Sequence, residues 1–195
     1  MAQPQMKLMI PGPVDIFDET LDTLAEQVWP SYSAEWSPLY WETVEMLQKV
    51  FQTTNDIAIQ TSPGSGAVET SVASLFAPGE KIAAVSNGPF ANRKNEIMRH
   101  YGFEVIEVTS TWGTPVDVNH VRDLLRQQPD IAGVTVVANE TGTGVRNPVQ
   151  ALAEAAHERD LPIFVDAISG MGGYNLPVDA WDLDLVCTSS NKALE

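Results

Sequence analysis

Short apolar segments alternate with amphipathic segments along most of this chain, and that alternation limits what it can fold into. Buried strands are predicted at six places: 57–61, 81–86, 104–108, 131–138, 162–166 and 183–188. Helices with apolar residues at 3.6-residue spacing are predicted at 66–76, 90–101, 118–127 and 149–159. Apolar strands separated by helices form a parallel sheet that is covered on both faces. The sequence therefore predicts an α/β fold.

The first 50 residues differ from the remainder, residues 51–195. Pro11-Gly12-Pro13 is a stiff turn that a helix cannot cross, and helices are predicted after it at 18–27 and 41–51. Five of the nine Trp and Tyr residues fall within residues 28–41, namely Trp29, Tyr32, Trp36, Tyr40 and Trp41. This aromatic cluster is either an internal packing patch or a surface for a second subunit or a substrate channel.

Charge and cysteine content exclude several classes of partner. The chain has 26 acidic and 11 basic residues and a formal net charge of -15, so we expect no nucleic-acid partner. No apolar run approaches the ~20 residues that span a bilayer, so we expect no membrane segment. Cys187 is the single cysteine, which excludes an internal disulfide. A reducing compartment, the cytoplasm, is therefore expected.

Polar residues follow two of the predicted strands at their carboxyl ends, where open parallel sheets bind ligands. Asp166 ends one strand, and Lys192 follows the next after a short polar turn. Taken singly, Asp166 would also suit a helix cap and Lys192 an exposed surface. Together they are what a pyridoxal 5'-phosphate enzyme needs. The lysine binds the cofactor covalently, and the aspartate keeps its pyridine nitrogen protonated.

Three other strand exits carry residues suited to the same cofactor. Ser65 and Gly66 lie in a glycine-rich turn that opens a helix, where free N–H groups and the helix dipole bind phosphate. Phe90 can stack on a flat ring or pack inside its own helix. Thr141 can bond a phenolate oxygen or stabilise a turn. Because all these sites lie at one edge of the predicted sheet, we expect a single pocket.

Five motifs in this order carry a resemblance to a known family. They are Ser62-Pro-Gly-Ser-Gly-Ala67, Asn87-Gly-Pro-Phe90, Asn139-Glu-Thr-Gly-Thr-Gly-Val145, Val165-Asp-Ala-Ile-Ser-Gly-Met-Gly-Gly173 and Ser189-Ser-Asn-Lys-Ala-Leu194. The chain resembles class V pyridoxal-phosphate-dependent aminotransferases, and within them the alanine–glyoxylate, serine–pyruvate and serine–glyoxylate group. The resemblance implies fold type I with its C-terminal part missing. Residues 1–50 would be an arm for substrate or dimer contacts, and residues 51–195 part of the large cofactor-binding domain.

The resemblance also implies a role for each candidate residue. Lys192 would bind the cofactor aldehyde and move a proton between the substrate alpha carbon and the cofactor, and Asp166 would pair with the pyridinium nitrogen. The remaining contacts would come from Thr141 at the 3′ oxygen, Phe90 on the ring, Ser65 and Gly66 at the phosphate, and Gly12 at the substrate carboxylate. Phe90 stands where many relatives have Trp or Tyr, and Pro63 removes one N–H from the glycine loop. No metal is implied.

The activity implied is transfer of an amino group from alanine or serine to a 2-oxo acid such as glyoxylate or pyruvate, by a homodimer. Aminotransfer from 2-aminoethylphosphonate, ureidoglycine or phosphoserine stays open, as do cysteine desulfuration and an inactive fragment. A nucleotide-binding module is disfavoured, because the Gly64 turn lacks both the Gly-Lys-Ser/Thr triplet and the Gly-x-Gly-x-x-Gly pattern.

Overall fold

A computed structural model describes residues 7–194 of the chain, so residues 1–6 and 195 of the expected arm and domain lie outside it. Helices and strands alternate through most of this range, as the periodicity predicts. In chain order they are α1 Asp18–Leu24, α2 Trp36–Phe51, α3 Gly64–Leu75, β1 Lys81–Ser86, α4 Pro89–His100, β2 Glu104–Thr109, α5 Val118–Gln127, β3 Ile131–Val137, β4 Asn139–Glu140, β5 Val145–Arg146, α6 Val149–His157, β6 Ile163–Asp166 and β7 Leu185–Cys187.

Five of the strands form one parallel sheet in the order β2-β1-β3-β6-β7. The mostly parallel α/β fold expected from the sequence is thereby confirmed. The register places Val137, Asp166 and Cys187 side by side across β3, β6 and β7. Three neighbouring strands therefore end level, and the segments that follow them leave from one edge.

Two hydrophobic cores cover the two faces of this sheet, as its alternating side chains require. Ala83 and Val165 belong to the core that includes residues of α5 and α6. Their chain neighbours Ile82 and Phe164 belong to the other core, with residues of α3 and α4. Helices α5 and α6 thus pack on one face of the sheet, and α3 and α4 on the other.

One predicted strand is absent: residues 57–61 have no regular secondary structure, and that prediction is wrong. A strand needs a neighbour for its backbone N–H and C=O groups. Here a groove of about 890 Å³ is lined on one side by residues 57–60 and on the other by β7. Ile59 is consequently exposed, although its alternation with Ile57 is typical of a strand.

Several helix and strand ends also differ from those predicted. Helix α2 begins at Trp36 and is the longest described helix, with 16 residues, whereas the sequence placed its start at 41. The antiparallel pair β4–β5 was not predicted, because each strand has only two residues. None of the helices within residues 7–194 has both the length and the apolar composition needed to cross a membrane.

The aromatic cluster near the N-terminus is largely open to solvent. Trp29, Tyr32 and Trp41 are all more than half exposed, and α1 buries none of its residues. Helix α2 is attached to the remainder by Val44 and Phe51, which are both buried. Internal packing in this chain therefore does not explain these three aromatic side chains.

Candidate active site

A cavity of about 180 Å³ opens at the carboxyl edge of the sheet. Its walls come from the first turns of α3 and α4, the ends of β3 and β6, and the segment after β7. Five of the seven predicted site residues line it: Ser65, Phe90, Thr141, Asp166 and Lys192. They meet because the strands end, and helices α3 and α4 begin, at the same edge.

Asp166 is the buried acidic group of this cavity. It is the last residue of β6 and only 6% exposed. Its Oδ1 accepts a hydrogen bond of 3.0 Å from the N–H of Ile168. Burial raises the pKa of Asp166 to about 6, and the Ile168 bond and the nearby Lys94 oppose that rise. A cation bonded to this carboxylate would therefore be stabilised strongly.

Lys192 reaches the cavity from the turn after β7, and the N-terminal turn packs against it. Gly12 lies so close that a Cβ at that position would overlap Nζ of Lys192. Gly12 contacts the lysine but does not itself line the cavity. Any larger side chain at residue 12 would push the lysine away.

The start of α3 supplies backbone donors at one end of the cavity. Gly64 and Ser65 are its first residues, and N–H groups in a first turn have no acceptor within the helix. Pro63 precedes the helix, in extended conformation. Gly66 lies apart, because its N–H is bonded to the carbonyl of Pro63 at 2.8 Å and it does not line the cavity.

Thr141 and Phe90 form part of the cavity wall. Oγ1 of Thr141 donates to Oγ of Ser169 at 2.7 Å, and Ser169 donates to the carbonyl of Asn139 at 2.9 Å. This chain of bonds fixes the threonine side chain after β3. Phe90 is 44% exposed, so it is a wall residue, and the interpretation of it as a core residue of α4 does not hold.

Comparison with known proteins identifies the family. The profile described as Aminotransferase class-V matches residues 21–194. The chain belongs to the class-V aminotransferase family. The match contains every predicted site residue except Gly12, which precedes it.

Relatives of this class-V aminotransferase chain have been named and solved. An uncharacterized aminotransferase of Methanocaldococcus jannaschii is 35% identical over 96% of this chain and 49% of its own length. The ureidoglycine–glyoxylate aminotransferase structure from Bacillus subtilis gives a TM-score of 0.93 at 28% identity, covering 100% of this chain and 50% of that one. The alanine–glyoxylate aminotransferase structure from Nostoc sp. gives 0.92 at 28% identity, covering 100% and 52%. The chain thus spans about half the length of these relatives.

Glu140 supports the cavity wall through Phe90, and the sequence analysis missed it. Its fully buried carboxylate accepts hydrogen bonds from the N–H groups of Phe90 at 3.3 Å, Ala91 at 2.9 Å and Gly142 at 3.1 Å. It therefore caps α4 and ties that helix to the β4–β5 turn. An acidic residue two positions after a predicted apolar strand was the available signal, but two of its partners, Phe90 and Ala91, lie about 50 residues earlier in the chain.

Lys94 is the second residue that was missed. It lies on the buried face of α4, is 1% exposed and lines the cavity. Its Nζ donates to Oγ1 of Thr135 at 2.5 Å and to Oδ1 of Asn95 at 3.0 Å. Burial lowers the pKa of Lys94 to about 7, and Asp166, Glu107 and Glu140 act in the opposite direction. Its spacing from Met98 on the apolar face of α4 was the signal in the sequence.

Proposed function

We propose that this chain is the pyridoxal 5'-phosphate-binding part of a cytoplasmic aminotransferase. The enzyme would move the amino group of a small amino acid, alanine or serine, to a 2-oxo acid such as glyoxylate or pyruvate. One observation carries the proposal: Asp166 and Lys192, at the exits of neighbouring strands β6 and β7, line the same cavity. Membership of the class-V aminotransferase family supports it.

The cavity residues match the polar groups of this cofactor. Asp166 is a buried carboxylate with a pKa raised to about 6. A ring N–H cation bonded to it would lower that pKa and favour the ionised form. The first N–H groups of α3, at Gly64 and Ser65, suit a phosphate. The Thr141 hydroxyl suits the ring oxygen, and Phe90 offers a flat face. Bound there, pyridoxal phosphate would supply an electron sink for the charge that develops at the substrate alpha carbon.

The protein residues would then have distinct tasks. Nζ of Lys192 would hold the cofactor through its aldehyde carbon, and, once an amino acid has taken that place, the released amine would carry a proton between the substrate alpha carbon and the cofactor. Asp166 would hold the ring N–H through its carboxylate. Glu140 keeps Phe90 in place by accepting its backbone N–H. The contact with Gly12 limits where the lysine side chain can go.

Glyoxylate as the acceptor is supported by the relatives. Two solved structures that match the whole chain are named for glyoxylate-dependent aminotransfer, one with alanine and one with ureidoglycine. Ureidoglycine is therefore the second candidate donor. Single-turnover reactions of the loaded protein with alanine, serine and ureidoglycine would rank the donors by rate.

We further propose that residues 1–50 form an arm for contacts with a second copy of the chain. Large apolar side chains are exposed at several places within residues 7–50, among them Met9, Phe17, Leu24, Val28, Trp29, Tyr32 and Trp41. A concentration of exposed large apolar side chains in one segment favours an interaction site. Pairing two identical arms would bury it symmetrically.

The deciding experiment is the addition of pyridoxal phosphate to the purified protein, to Lys192→Ala and to Lys49→Ala. Lys49 is an exposed lysine in the last turn of α2 and serves as the matched control. We expect the visible band of the bound cofactor in the parent and the control only. Borohydride reduction followed by peptide mass analysis should place the label on Lys192. A band of equal strength in Lys192→Ala would contradict the proposal.

A further inference from the structure

Lys94 lies on the same face of the sheet as Asp166 and lines the same cavity. Its partner Thr135 lies two residues before Val137 on β3, and Val137 is the register partner of Asp166. Side chains two apart on a strand point to the same face, about 7 Å apart. Thr135 therefore places the lysine amine on the Asp166 face of the sheet, about two residues further from the carboxyl edge.

The hydrogen bonds of Lys94 do not neutralise its charge, so only carboxylates that it does not bond directly can do so. Both hydrogen-bond acceptors of its Nζ, on Thr135 and Asn95, are neutral. The carboxylates that act on it are those of Asp166, Glu107 and Glu140. The other cations of the cavity wall are Arg93 and Lys192. Of these carboxylates, only Asp166 lines the cavity.

We propose that Lys94 is a positioning residue that keeps Asp166 ionised and so ready for the ring N–H cation of the cofactor. An ammonium buried on the same face favours the carboxylate form of Asp166 over its carboxylic acid form. At a pH where Lys94 is neutral this support is lost, but Asp166 is then ionised without help. Lys94 thus extends toward acidic pH the range in which Asp166 is ionised and can accept the cofactor. The link to the cofactor rests on the proposed function, whereas the link to Asp166 does not.

The first measurement needs no cofactor. Carbon-13 NMR titration of the aspartate carboxyl groups would give the pKa of Asp166 in the parent, in Lys94→Met and in Lys49→Met. We expect that pKa to rise by about one unit in Lys94→Met, because a nearby opposite charge is removed. Lys49→Met, which removes an exposed charge on α2, should leave it unchanged.

The second measurement is the affinity for pyridoxal phosphate at two pH values. With the pKa of Asp166 raised by about one unit, Lys94→Met should bind about threefold more weakly than the parent at roughly pH 6.5. The two proteins should bind alike at roughly pH 8.5, where Asp166 is ionised in both. A merely structural role for Lys94 would weaken binding equally at both pH values, and that result would overturn the proposal.

Thr135→Val provides a second test in case Lys94→Met does not fold. It keeps the side-chain volume but removes the hydroxyl that accepts from Nζ of Lys94. Losing that acceptor disfavours the ammonium, so the pKa of Asp166 should again rise. An unchanged pKa in both variants would refute the role of Lys94. If the parent binds no pyridoxal phosphate at either pH, the proposed function fails, while the titration still decides the role of Lys94.

Discussion

Gly12 and Lys192 lie in contact although they come from opposite ends of the described chain. Because a Cβ at residue 12 would overlap Nζ of the lysine, Gly12→Ala should displace the lysine side chain. We expect the yield of covalently bound pyridoxal phosphate, trapped with borohydride, to fall on the order of tenfold, since small displacements of reacting groups are costly. At Gly173 an added Cβ would meet its neighbours at 3.4 Å or more. Gly173→Ala should therefore trap the cofactor like the parent, and an equal loss in both variants would contradict this explanation.

Replacing Asp166 should separate stability from cofactor binding. Burial raises the pKa of Asp166 to about 6, so the ionised side chain at neutral pH is a cost to the fold. Asp166→Asn removes that charge at nearly equal volume and should leave the free energy of unfolding at pH 7 unchanged or increased. The affinity for pyridoxal phosphate should fall on the order of tenfold, because the ring N–H loses an anionic acceptor. Urea denaturation and a binding titration measure the two effects, and parallel losses would contradict the assignment.

The buried amine of Lys94 predicts a pH dependence of stability. Its pKa is 10.5 in the unfolded chain and about 7 in the folded protein. Between these values the unfolded state carries a proton that the folded state has lost, so stability rises with pH, at up to about 1.4 kcal/mol per pH unit. Lys94→Met lacks this contribution. Urea denaturation should show that the free energy of unfolding of the parent, relative to that of the variant, is higher at about pH 9 than at about pH 7. The same difference at both pH values would count against a buried titrating amine.

Glu140 should matter more for stability than its position in a turn suggests. Three backbone N–H groups donate to its carboxylate, and a glutamine amide would turn N–H donors toward some of them. Glu140→Gln should lower the free energy of unfolding by about 1–3 kcal/mol, as expected when buried donors lose their acceptor. Glu154→Gln, on the exposed side of α6, is the matched control. Equal stability of the two variants in urea denaturation would show that the cap is dispensable.

The exposed aromatic residues of the arm predict the oligomeric state. Trp29 and Tyr32 are each more than half exposed. If they pack against a second copy, the double substitution Trp29→Ser with Tyr32→Ser should shift the protein from dimer to monomer in analytical ultracentrifugation. Substitution of Trp112, an exposed aromatic residue outside the arm, should leave the dimer intact. A monomeric parent would remove the basis for this prediction.

The chain positions of Asp166 and Lys192 were predictable because they depend on local patterns. A short apolar run ends in a polar residue, and parallel strands deliver such residues to one edge. Ser65, Phe90 and Thr141 follow the same logic. Lys94 and Glu140 were not predictable in this way. Each is held partly by partners 41 to 50 residues away in the chain, and no periodicity in the sequence specifies such contacts.

Residues 57–61 show the opposite case, in which a sequence pattern predicts a strand that does not form. Ile57 and Ile59 alternate with smaller or polar residues, which favours a strand. Alternation specifies a face but provides no partner for the backbone. Within residues 7–194 the nearest strand, β7, lies across the groove, so the local preference is left without hydrogen bonds. The end of α1 and the start of α2 also differ from the predicted positions, because few tertiary contacts fix them.

The groove beside β7 leaves one row of main-chain donors and acceptors at the edge of the sheet without a neighbour among the described strands. Such an edge can template the addition of an extended segment by β-augmentation, from the same polypeptide or from another molecule. Which of these occurs first decides whether the folded chain stays dispersed at high concentration or aggregates edge to edge. The pairing of β7 therefore controls whether this edge remains available for aggregation.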